Sequence, residues 1–321
     1  MHPVMEELKK IGIIPVIKID DAEKAVPLAK ALIAGNIPCA EVTFRTAQGE
    51  EAMKRINRDV PDILLGAGTV LTTEQVDKAI AAGAKFIVSP GFNPKVVAYC
   101  VEKGIPVTPG CSNPSDIEMA LEMGINTVKF FPAEQAGGLE YIKAISAPYP
   151  SLTFVPTGGI NAQNIVKYIS NEKILACGGS WMVSADLINA GNFDKITALC
   201  NEAQLNLLGF EVRHVGINAE SDDAAVKTAN RFASLFGFQK NELPTAVFAG
   251  TGIEIVKPPH RGKNGHIAIA TNSIFRAKAF FDRQGIEFEA DSVKNDEKGN
   301  TRLIYFKEEF GGFAVHLLQK S

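Results

Sequence analysis

Lys129 is the residue of this sequence whose position is least expected for its type. It lies in the apolar run NTVKFFPAE, where the alternation of a β-strand places Thr127, Lys129 and Phe131 on one face. If that face points into a folded core, loss of hydration favours the neutral amine, a nucleophile that can form a Schiff base with a carbonyl carbon. The alternative is a lysine at the rim of the fold with its ammonium group extended into water.

A carboxylate and a guanidinium occur four residues apart in a second apolar run, AEVTFRT. Strand alternation places Glu41, Thr43 and Arg45 on the same side. Glu41 is a candidate general base, and the paired N–H donors of Arg45 suit a carboxylate or a phosphate. A structural ion pair between Glu41 and Arg45 is the alternative.

Two glycine pairs follow later apolar runs, Gly158-Gly159 and Gly178-Gly179, and Ser180 directly follows the second pair. Backbone N–H groups in such turns can bind phosphate, and the serine hydroxyl can add a further hydrogen bond. Glycine is also common in ordinary tight turns, which is the alternative for either pair taken alone.

The elements that must position these residues follow a regular alternation of short apolar runs and amphipathic stretches. In the segment TTEQVDKAIAAG, for example, Thr72 or Thr73 can cap a helix that Gly83 ends. Eight such alternations over about 200 residues predict a (β/α)8 TIM barrel within an α/β fold class, whereas an open doubly wound sheet would favour GxGxxG after its first strand. The predicted strands are Gly12–Ile19, Ile37–Phe44, Ile63–Thr69, Lys85–Pro90, Ile105–Pro109, Asn126–Phe131, Leu152–Thr157 and Ile174–Gly179.

The unusual residues fall at the carboxyl ends of these predicted strands, where barrels carry their chemistry. The strand ends hold Glu41 and Arg45 (second), Thr69 (third), Pro90 (fourth), Lys129 (sixth), Thr157 with Gly158 and Gly159 (seventh), and Gly178, Gly179 and Ser180 (eighth).

The motifs EVTFRT, GAGTVL, VSPGF, VKFFPAE, PTGGI and GGSW, in this order over about residues 1–205, resemble the 2-dehydro-3-deoxy-phosphogluconate (KDPG) and 4-hydroxy-2-oxoglutarate (KHG) aldolase family. The resemblance implies a class I aldolase, an aldehyde-lyase without a cofactor, in which Lys129 forms the Schiff base and Glu41 is the acid/base. It implies cleavage of KDPG to pyruvate and glyceraldehyde 3-phosphate and of KHG to pyruvate and glyoxylate. The phosphogalactonate epimer stays open as the substrate, and a homotrimer is implied.

The same resemblance assigns contacts with the substrate. Arg45 becomes the partner of the pyruvate carboxylate, and Pro90 and Phe131 wall the pyruvate pocket. Lys18 ends the first strand, where some family members carry a basic residue. The implied contacts are Lys18, Arg45, Thr69, Pro90, Phe131, Thr157, Gly158, Gly159, Gly179 and Ser180.

A different pattern begins after the predicted last helix of the barrel, with a linker near residues 208–211. We therefore predict an aldolase domain at residues 1–208 and a second, smaller α+β domain at 209–321. This second stretch contains an internal repeat, because RHVGINAESDDAAVKTANRFASLFGF resembles GHIAIATNSIFRAKAFFDRQGIEF. Each copy continues into hairpin-like segments, which predicts paired βαβββ modules.

Paired modules of this kind resemble the glyoxalase-like vicinal oxygen chelate superfamily. The resemblance implies a divalent metal, Zn, Ni, Mn or Fe(II), held by His214, Glu254, His266 and His316. His316 stands where the superfamily more often has glutamate, and a single histidine on a strand is usually structural. A metal-dependent enzyme and a ligand-sensing or assembly module therefore both stay open for this domain.

Composition narrows the remaining function classes. The chain has 321 residues and a formal net charge of -3, so no basic surface for nucleic acid or anionic membrane is expected. The N-terminal stretch MHPVMEELKK lacks an apolar signal core. The five cysteines lack CxxC spacing, which favours reduced thiols in the cytoplasm. A small-molecule keto acid and further copies of the chain are the expected partners.

Overall fold

The computed structural model describes residues 2–320. The chain divides into two compact units, Met1–Leu207 and Leu208–Ser321. The division lies one residue before the boundary predicted from the sequence. Each unit has its own sheet system, and each is described by itself.

The first unit alternates strands and helices in chain order, as the sequence predicts. The helix α1 (Pro3–Ile11) precedes the first strand, and a short 3-10 turn (Ala22–Lys24) precedes α2. The strands are β1 (Ile13–Ile17), β2 (Cys39–Thr43), β3 (Leu64–Gly68), β4 (Phe86–Val88), β5 (Val107–Thr108), β6 (Thr127–Phe130), β7 (Thr153–Pro156) and β8 (Cys177–Gly179). The other helices are α2 (Ala25–Ala34), α3 (Gly49–Asp59), α4 (Thr73–Ala81), α5 (Pro94–Glu102), α6 (Pro114–Glu122), α7 (Gly138–Ser146), α8 (Ile165–Ile169), α9 (Ala185–Asn189) and α10 (Phe193–Leu208).

These strands close into a barrel. Six of them pair side by side in the order β5-β4-β3-β2-β1-β8, and β6 pairs with β7. The bridges Gly110↔Lys129 and Thr157↔Gly178, both parallel, join the two groups on either side. Every residue of β1 and β2 is buried, as expected for parallel strands covered on both faces. The predicted (β/α)8 barrel is confirmed.

Side-chain caps set the starts of several barrel helices. Thr72 accepts a hydrogen bond from the Gln75 amide and caps α4, as its position in the sequence indicates. Asn93 and Asn113 cap α5 and α6, and a proline follows each of them at the first helical position. Each helix therefore starts at a defined residue after its strand, which keeps the intervening loops at the carboxyl end of the barrel short.

The second unit is an eight-stranded mixed sheet built from two βαβββ modules. The first module contains β9 (Glu211–Asn218), α11 (Asp222–Phe236), β10 (Lys240–Glu242), β11 (Ala246–Ala249) and β12 (Ile253–Val256). The second contains β13 (His266–Thr271), α12 (Ile274–Asp282), a 3-10 turn (Ala290–Ser292), β14 (Lys294–Asn295), β15 (Thr301–Phe310) and β16 (Phe313–Gln319). The sheet order is β10-β11-β12-β9-β13-β16-β15-β14, so the modules join through their first strands.

The five cysteines are buried and free of disulfides. Burial raises the pKa of Cys100, Cys111 and Cys200 to about 12, which keeps these thiols protonated and unreactive. Between residues 2 and 320, no helix has both the length and the apolar character that a membrane crossing requires.

Candidate active site

The side chains of Lys129 and Glu41 meet inside the barrel. Lys129 Nζ lies 3.5 Å from Glu41 Oε1, and the side chains are only 8% and 2% exposed. The ring of Phe131 lies beside the ammonium group, with its centroid 5.6 Å from Nζ. Two opposite charges withdrawn from water stabilise one another, whereas either alone would carry a large desolvation cost. The sequence prediction that Lys129 points into the core is therefore correct.

The backbone of Lys129 is held as firmly as its side chain. Its amide donates to the Pro109 carbonyl (2.8 Å), and its carbonyl accepts from the Cys111 amide (2.9 Å). On its other side, β6 pairs in parallel with β7. The amine is thus supported by a backbone that is hydrogen-bonded on both sides.

A missing side chain at Gly68 makes room for Glu41. Gly68 lies opposite Thr43 where β3 pairs with β2. A Cβ atom at position 68 would stand 2.3 Å from Glu41 Oε1, far inside van der Waals contact. Glycine at this position therefore allows the carboxylate to lie beside Lys129.

Arg45 follows β2 and is positioned through a threonine. Its Nε donates to Thr43 Oγ1 (3.1 Å), and that hydroxyl donates to the Ile17 carbonyl (2.7 Å). Among residues 2–320, no acidic side chain pairs with the Arg45 guanidinium. The alternative of an Arg45–Glu41 ion pair is therefore wrong, and the remaining N–H groups can face an anionic ligand.

Thr69 adopts an unusual backbone conformation where β3 ends. Its φ of 55° lies in the left-handed region, which is rare for a β-branched residue. Such a conformation costs on the order of 1–3 kcal/mol and is found where the surrounding structure imposes it, often at functional sites. The strained residue also lines the cavity that contains Lys129.

The carbonyl groups of the turn after β7 are already hydrogen-bonded within the protein. The Thr157 carbonyl accepts from the Ala133 amide (2.8 Å) and the Gly158 carbonyl from the Glu134 amide (3.1 Å). The Gly159 carbonyl accepts from Asn164 Nδ2 (3.0 Å). Both glycines have a positive φ, 98° at Gly158 and 79° at Gly159. In the described part of the chain, the amides of Gly158, Gly159 and Ile160 donate to no protein acceptor.

One cavity of about 300 Å³ unites these residues at the carboxyl end of the barrel. It contains the predicted catalytic pair and every predicted substrate contact except Lys18, and it adds two residues that the sequence did not indicate, Val16 and Ile160. The lining is Val16, Glu41, Arg45, Thr69, Pro90, Lys129, Phe131, Thr157, Gly158, Gly159, Ile160, Gly179 and Ser180.

Lys18 does not line this cavity, and its role as a substrate contact stays a prediction. β1 ends at Ile17, and beyond it the Lys18 ammonium turns to the surface and pairs with Asp20 at 2.7 Å. Val16, two residues earlier in the same strand, lines the cavity instead. The sequence pattern gave the right strand face but placed the end of the strand too late.

A buried support of the glycine turn was also missed. The Tyr168 hydroxyl donates to the Glu134 carboxylate, whose Cβ and Cγ fill the space beside Gly159. Burial, together with the Glu134 carboxylate, raises the pKa of Tyr168 above its usual range, so the phenol stays a donor. The motif VKFFPAE contains Glu134, but its partner lies 34 residues away and is brought near only by the fold.

Comparison with known proteins identifies the family of the first unit. The family model described as KDPG and KHG aldolase matches residues 4–199. The chain belongs to the KDPG and KHG aldolase family. A 2-dehydro-3-deoxy-phosphogluconate aldolase of Treponema pallidum is 51% identical over 209 residues, which cover 65% of this chain and 99% of that protein. The KHG/KDPG aldolase of Escherichia coli K12 is 41% identical over 191 residues, covering 60% and 90%.

Solved structures of the family superpose on the same unit. KDPG aldolase from Legionella pneumophila, with pyruvate captured as a covalent carbinolamine intermediate, has a TM-score of 0.60 and 40% identity and covers 62% of this chain and 97% of its own. The aldolase of Zymomonas mobilis ZM4 with 3-phosphoglycerate has a TM-score of 0.58 and 39% identity, covering 62% and 94%.

A cluster of three histidines and one glutamate lies on the sheet of the second unit. The Nε2 atoms of His214 and His266 are 3.0 Å apart, and Glu254 Oε2 lies 3.0 Å from the first and 3.1 Å from the second. His316 joins them, with one nitrogen of each of the three rings within a common 4.8 Å. The structure therefore brings together all four residues that the sequence indicates as metal ligands.

The charge state of this cluster suits a cation. Burial raises the pKa of Glu254, but hydrogen bonds from His214 and His266 outweigh it and lower the pKa to about 2. Burial, reinforced by the neighbouring His266, lowers the pKa of His316 to about 3. A carboxylate that stays ionised and an imidazole that stays neutral are the forms that bind a divalent metal.

Substitution of Gly68 by alanine tests the support of Glu41. The added methyl group meets the end of a flexible side chain, so we expect the carboxylate to move and the fold to persist. A displacement of about 1 Å near a reacting group can cost on the order of 100-fold in rate, and we expect kcat to fall by that order. Gly91→Ala is the control, because a Cβ there meets nothing within 4 Å. Equal kcat values in the two variants would refute the role given to Gly68.

Proposed function

We propose that the first unit is a class I aldolase that cleaves 2-dehydro-3-deoxy-6-phosphogluconate to pyruvate and glyceraldehyde 3-phosphate. The observation that carries the proposal is the buried Lys129–Glu41 pair at 3.5 Å, inside a cavity at the carboxyl end of the barrel. The chain's membership of the KDPG and KHG aldolase family supports the same reaction. The covalent pyruvate in the Legionella relative supports a Schiff-base route.

The first half of the reaction forms the imine. Lys129 first gives its extra proton to Glu41, whose carboxylate is 3.5 Å away, and the neutral amine then attacks the C2 carbonyl carbon. Glu41 returns the proton to the hydroxyl of the carbinolamine, which leaves as water and gives an iminium ion. Arg45 has no acidic partner among the described residues and holds the substrate carboxylate. Phe131 and Pro90 wall the site and limit the access of water.

The second half breaks the C3–C4 bond. Glu41 takes the proton of the C4 hydroxyl, directly or through one water, and the bond electrons move to the iminium to leave an enamine and a free aldehyde. Glu41 then returns a proton to C3. Water adds to the new iminium, which releases pyruvate and restores the amine of Lys129. The carboxylate lies close enough to the amine to serve both steps.

The other end of the cavity suits a phosphate group. The amides of Gly158, Gly159 and Ile160 donate to no acceptor in the described part of the chain, whereas the carbonyl groups of the same turn already accept hydrogen bonds. Ser180 adds a hydroxyl beside them. The Zymomonas relative was solved with 3-phosphoglycerate, a phosphorylated ligand. These observations favour the phosphorylated sugar acid as the preferred substrate.

Three substrates tested in parallel distinguish the alternatives: KDPG, its phosphogalactonate epimer and KHG, with pyruvate release coupled to lactate dehydrogenase. Preference for one phosphorylated acid supports the phosphate site and identifies the stereochemistry. Comparable turnover of all three indicates a broad keto-acid aldolase. Absence of pyruvate from every substrate refutes the proposed function.

Lys129 is expected to be the residue that pyruvate modifies. Reduction with borohydride in the presence of pyruvate should attach a lactyl group to the peptide that contains Lys129, detectable by mass spectrometry. Lys129→Ala should lose this adduct and all measurable cleavage activity while its thermal unfolding stays cooperative. Lys78→Ala serves as the control, because its ammonium pairs with Glu74 on the exposed face of α4. Labelling of a different lysine, or turnover by Lys129→Ala, contradicts the mechanism.

Ser180 is expected to contribute to the binding of phosphorylated substrates and little to that of unphosphorylated ones. A hydrogen bond to a charged group contributes about 1.5–3 kcal/mol, so Ser180→Ala should raise the KM for KDPG about tenfold or more. The KM for KHG, which carries no phosphate, should change less than about twofold. Parallel increases for both substrates would place Ser180 elsewhere in the reaction.

We also propose that the second unit binds a divalent metal through His214, Glu254, His266 and His316. Three imidazoles and one carboxylate form a donor set that suits Zn, Ni, Mn or Fe(II). A bound ion would supply Lewis-acid chemistry at this centre. The paired modules support membership of the vicinal oxygen chelate superfamily, and a metal-dependent enzyme or a ligand-sensing module are the two roles that this centre allows.

Metal content tests this second proposal. Protein purified without chelator should hold about one divalent ion per chain by elemental analysis. His266→Ala and Glu254→Gln should each lose it, together with any rise in Tm on adding metal. His260→Ala is the matched control, because His260 bonds the Ala219 carbonyl and is not part of the cluster. Metal-free wild-type protein that fails to bind added Zn, Ni, Mn or Fe(II) refutes the site.

We further propose that the chain forms a homo-oligomer and acts in the cytoplasm. Family resemblance supports a homo-oligomer with trimeric barrels. Buried, protonated thiols and a net charge of -3 fit the cytoplasm.

A further inference from the structure

The sheet of the second unit has an open edge strand, β10, on one side. β10 is the terminal strand, and its residues Lys240, Asn241 and Glu242 are all exposed. A strand in this position offers unpaired N–H and C=O groups to any chain that can align with it.

The register of β10 determines which groups are free. In the antiparallel pair with β11, the Gly250 amide donates to the Gln239 carbonyl and the Leu243 amide to the Ala246 carbonyl, both at 2.8 Å. Alternation along the ladder directs the groups of residues 239, 241 and 243 inward, towards β11. The N–H and C=O groups of Lys240 and Glu242 therefore point to the open edge.

We propose that two copies of the chain join through this edge, with their β10 strands antiparallel about a two-fold axis at Asn241. This register places Lys240 directly opposite Glu242 of the partner subunit, and Glu242 opposite the partner's Lys240. Each of these two pairs is a hydrogen-bonded pair, so both exchange two backbone hydrogen bonds. Opposite charges on directly facing residues stabilise a strand pair, and the two-fold axis repeats the pairing.

An exposed apolar cluster flanks the same edge. Leu235 and Phe236 at the end of α11 are 56% and 62% exposed, and Phe238 and Leu243 on either side of β10 are each 41% exposed. The rings of Phe236 and Phe238 lie 5.7 Å apart, because Gly237 ends the helix in a left-handed conformation and turns the chain back. A neighbouring patch of large apolar side chains is typical of a protein contact surface.

The opposite edge of the sheet shows what a protected edge looks like. β14 has only two residues, and its pairing with β15 shifts register between them. The next acid, Asp296, accepts hydrogen bonds from the Lys298 amide (2.9 Å), the Asn300 amide (2.8 Å) and Asn300 Nδ2 (3.2 Å). This carboxylate is engaged in its own turn and cannot face a lysine of another copy. At β10, Glu242 Oε1 accepts from Lys257 Nζ of the same chain (3.2 Å), but the Glu242 side chain is 47% exposed and its second oxygen can face a lysine of another copy. β10 can therefore supply a self-complementary pair of charges, and β14 cannot.

Charge exchange tests the proposed register. Sedimentation velocity of the full chain over a range of concentrations should show that the wild-type protein self-associates. Lys240→Glu should raise the dissociation constant of this step about tenfold or more, because two acids then face each other. Glu242→Lys, which also loses the Glu242–Lys257 ion pair within the chain, should weaken the same step, because lysines then face each other. An equimolar mixture of the two variants restores opposite charges and should associate to within about threefold of wild type.

Lys294→Glu, the equivalent change at β14, is the control and should leave the assembly as it is. Circular dichroism and aldolase activity establish that each variant is folded. If Glu242→Lys does not fold, the result for Lys240→Glu alone tests the proposal. A dissociation constant for Lys240→Glu within about twofold of wild type overturns the proposal. A mixture that associates no better than its components also overturns the proposal.

Discussion

The burial of one lysine beside one glutamate is the interaction on which the site of the first unit depends. The Lys129–Glu41 pair is tolerated in the barrel because each group is the other's partner, and an uncompensated charge there would cost several kcal/mol. The backbone of Lys129 meanwhile supplies the hydrogen bonds that close the barrel between β5 and β6. The closure of the fold and the position of the buried amine therefore depend on the same residue.

Glycine contributes to this site mainly through the space it leaves. Gly68 admits the Glu41 carboxylate, and a Cβ at Gly178 would stand 2.3 Å from Thr157 Oγ1. A Cβ at Gly179 would overlap the ring of Trp181. The turn of Gly158 and Gly159 is further fixed by bonds to its carbonyls, which leaves its amides for an anion. Rigid surroundings of this kind hold reacting groups in place without reorganisation.

The second unit brings four polar side chains together because its βαβββ module is repeated. Its two modules join through β9 and β13, and this antiparallel pairing brings His214 and His266 together although 52 residues separate them in the chain. Glu254 and His316 arrive from the strands next to β9 and β13, because each module has the same internal topology. A repeated sequence pattern thus produces a centre of four side chains between the modules.

The sequence by itself determined the eight-fold alternation, the repeated modules and the types of residue at strand ends, because periodicity and turn residues act locally. It also indicated Lys129 and Glu41, since a charged side chain in an apolar strand is conspicuous. Only the tertiary structure decided that Val16 rather than Lys18 reaches the cavity, because that depends on where β1 stops. The support of the glycine turn by Tyr168 and Glu134, and the room at Gly68 for Glu41, likewise arise from contacts between distant segments, which no local pattern in the chain records.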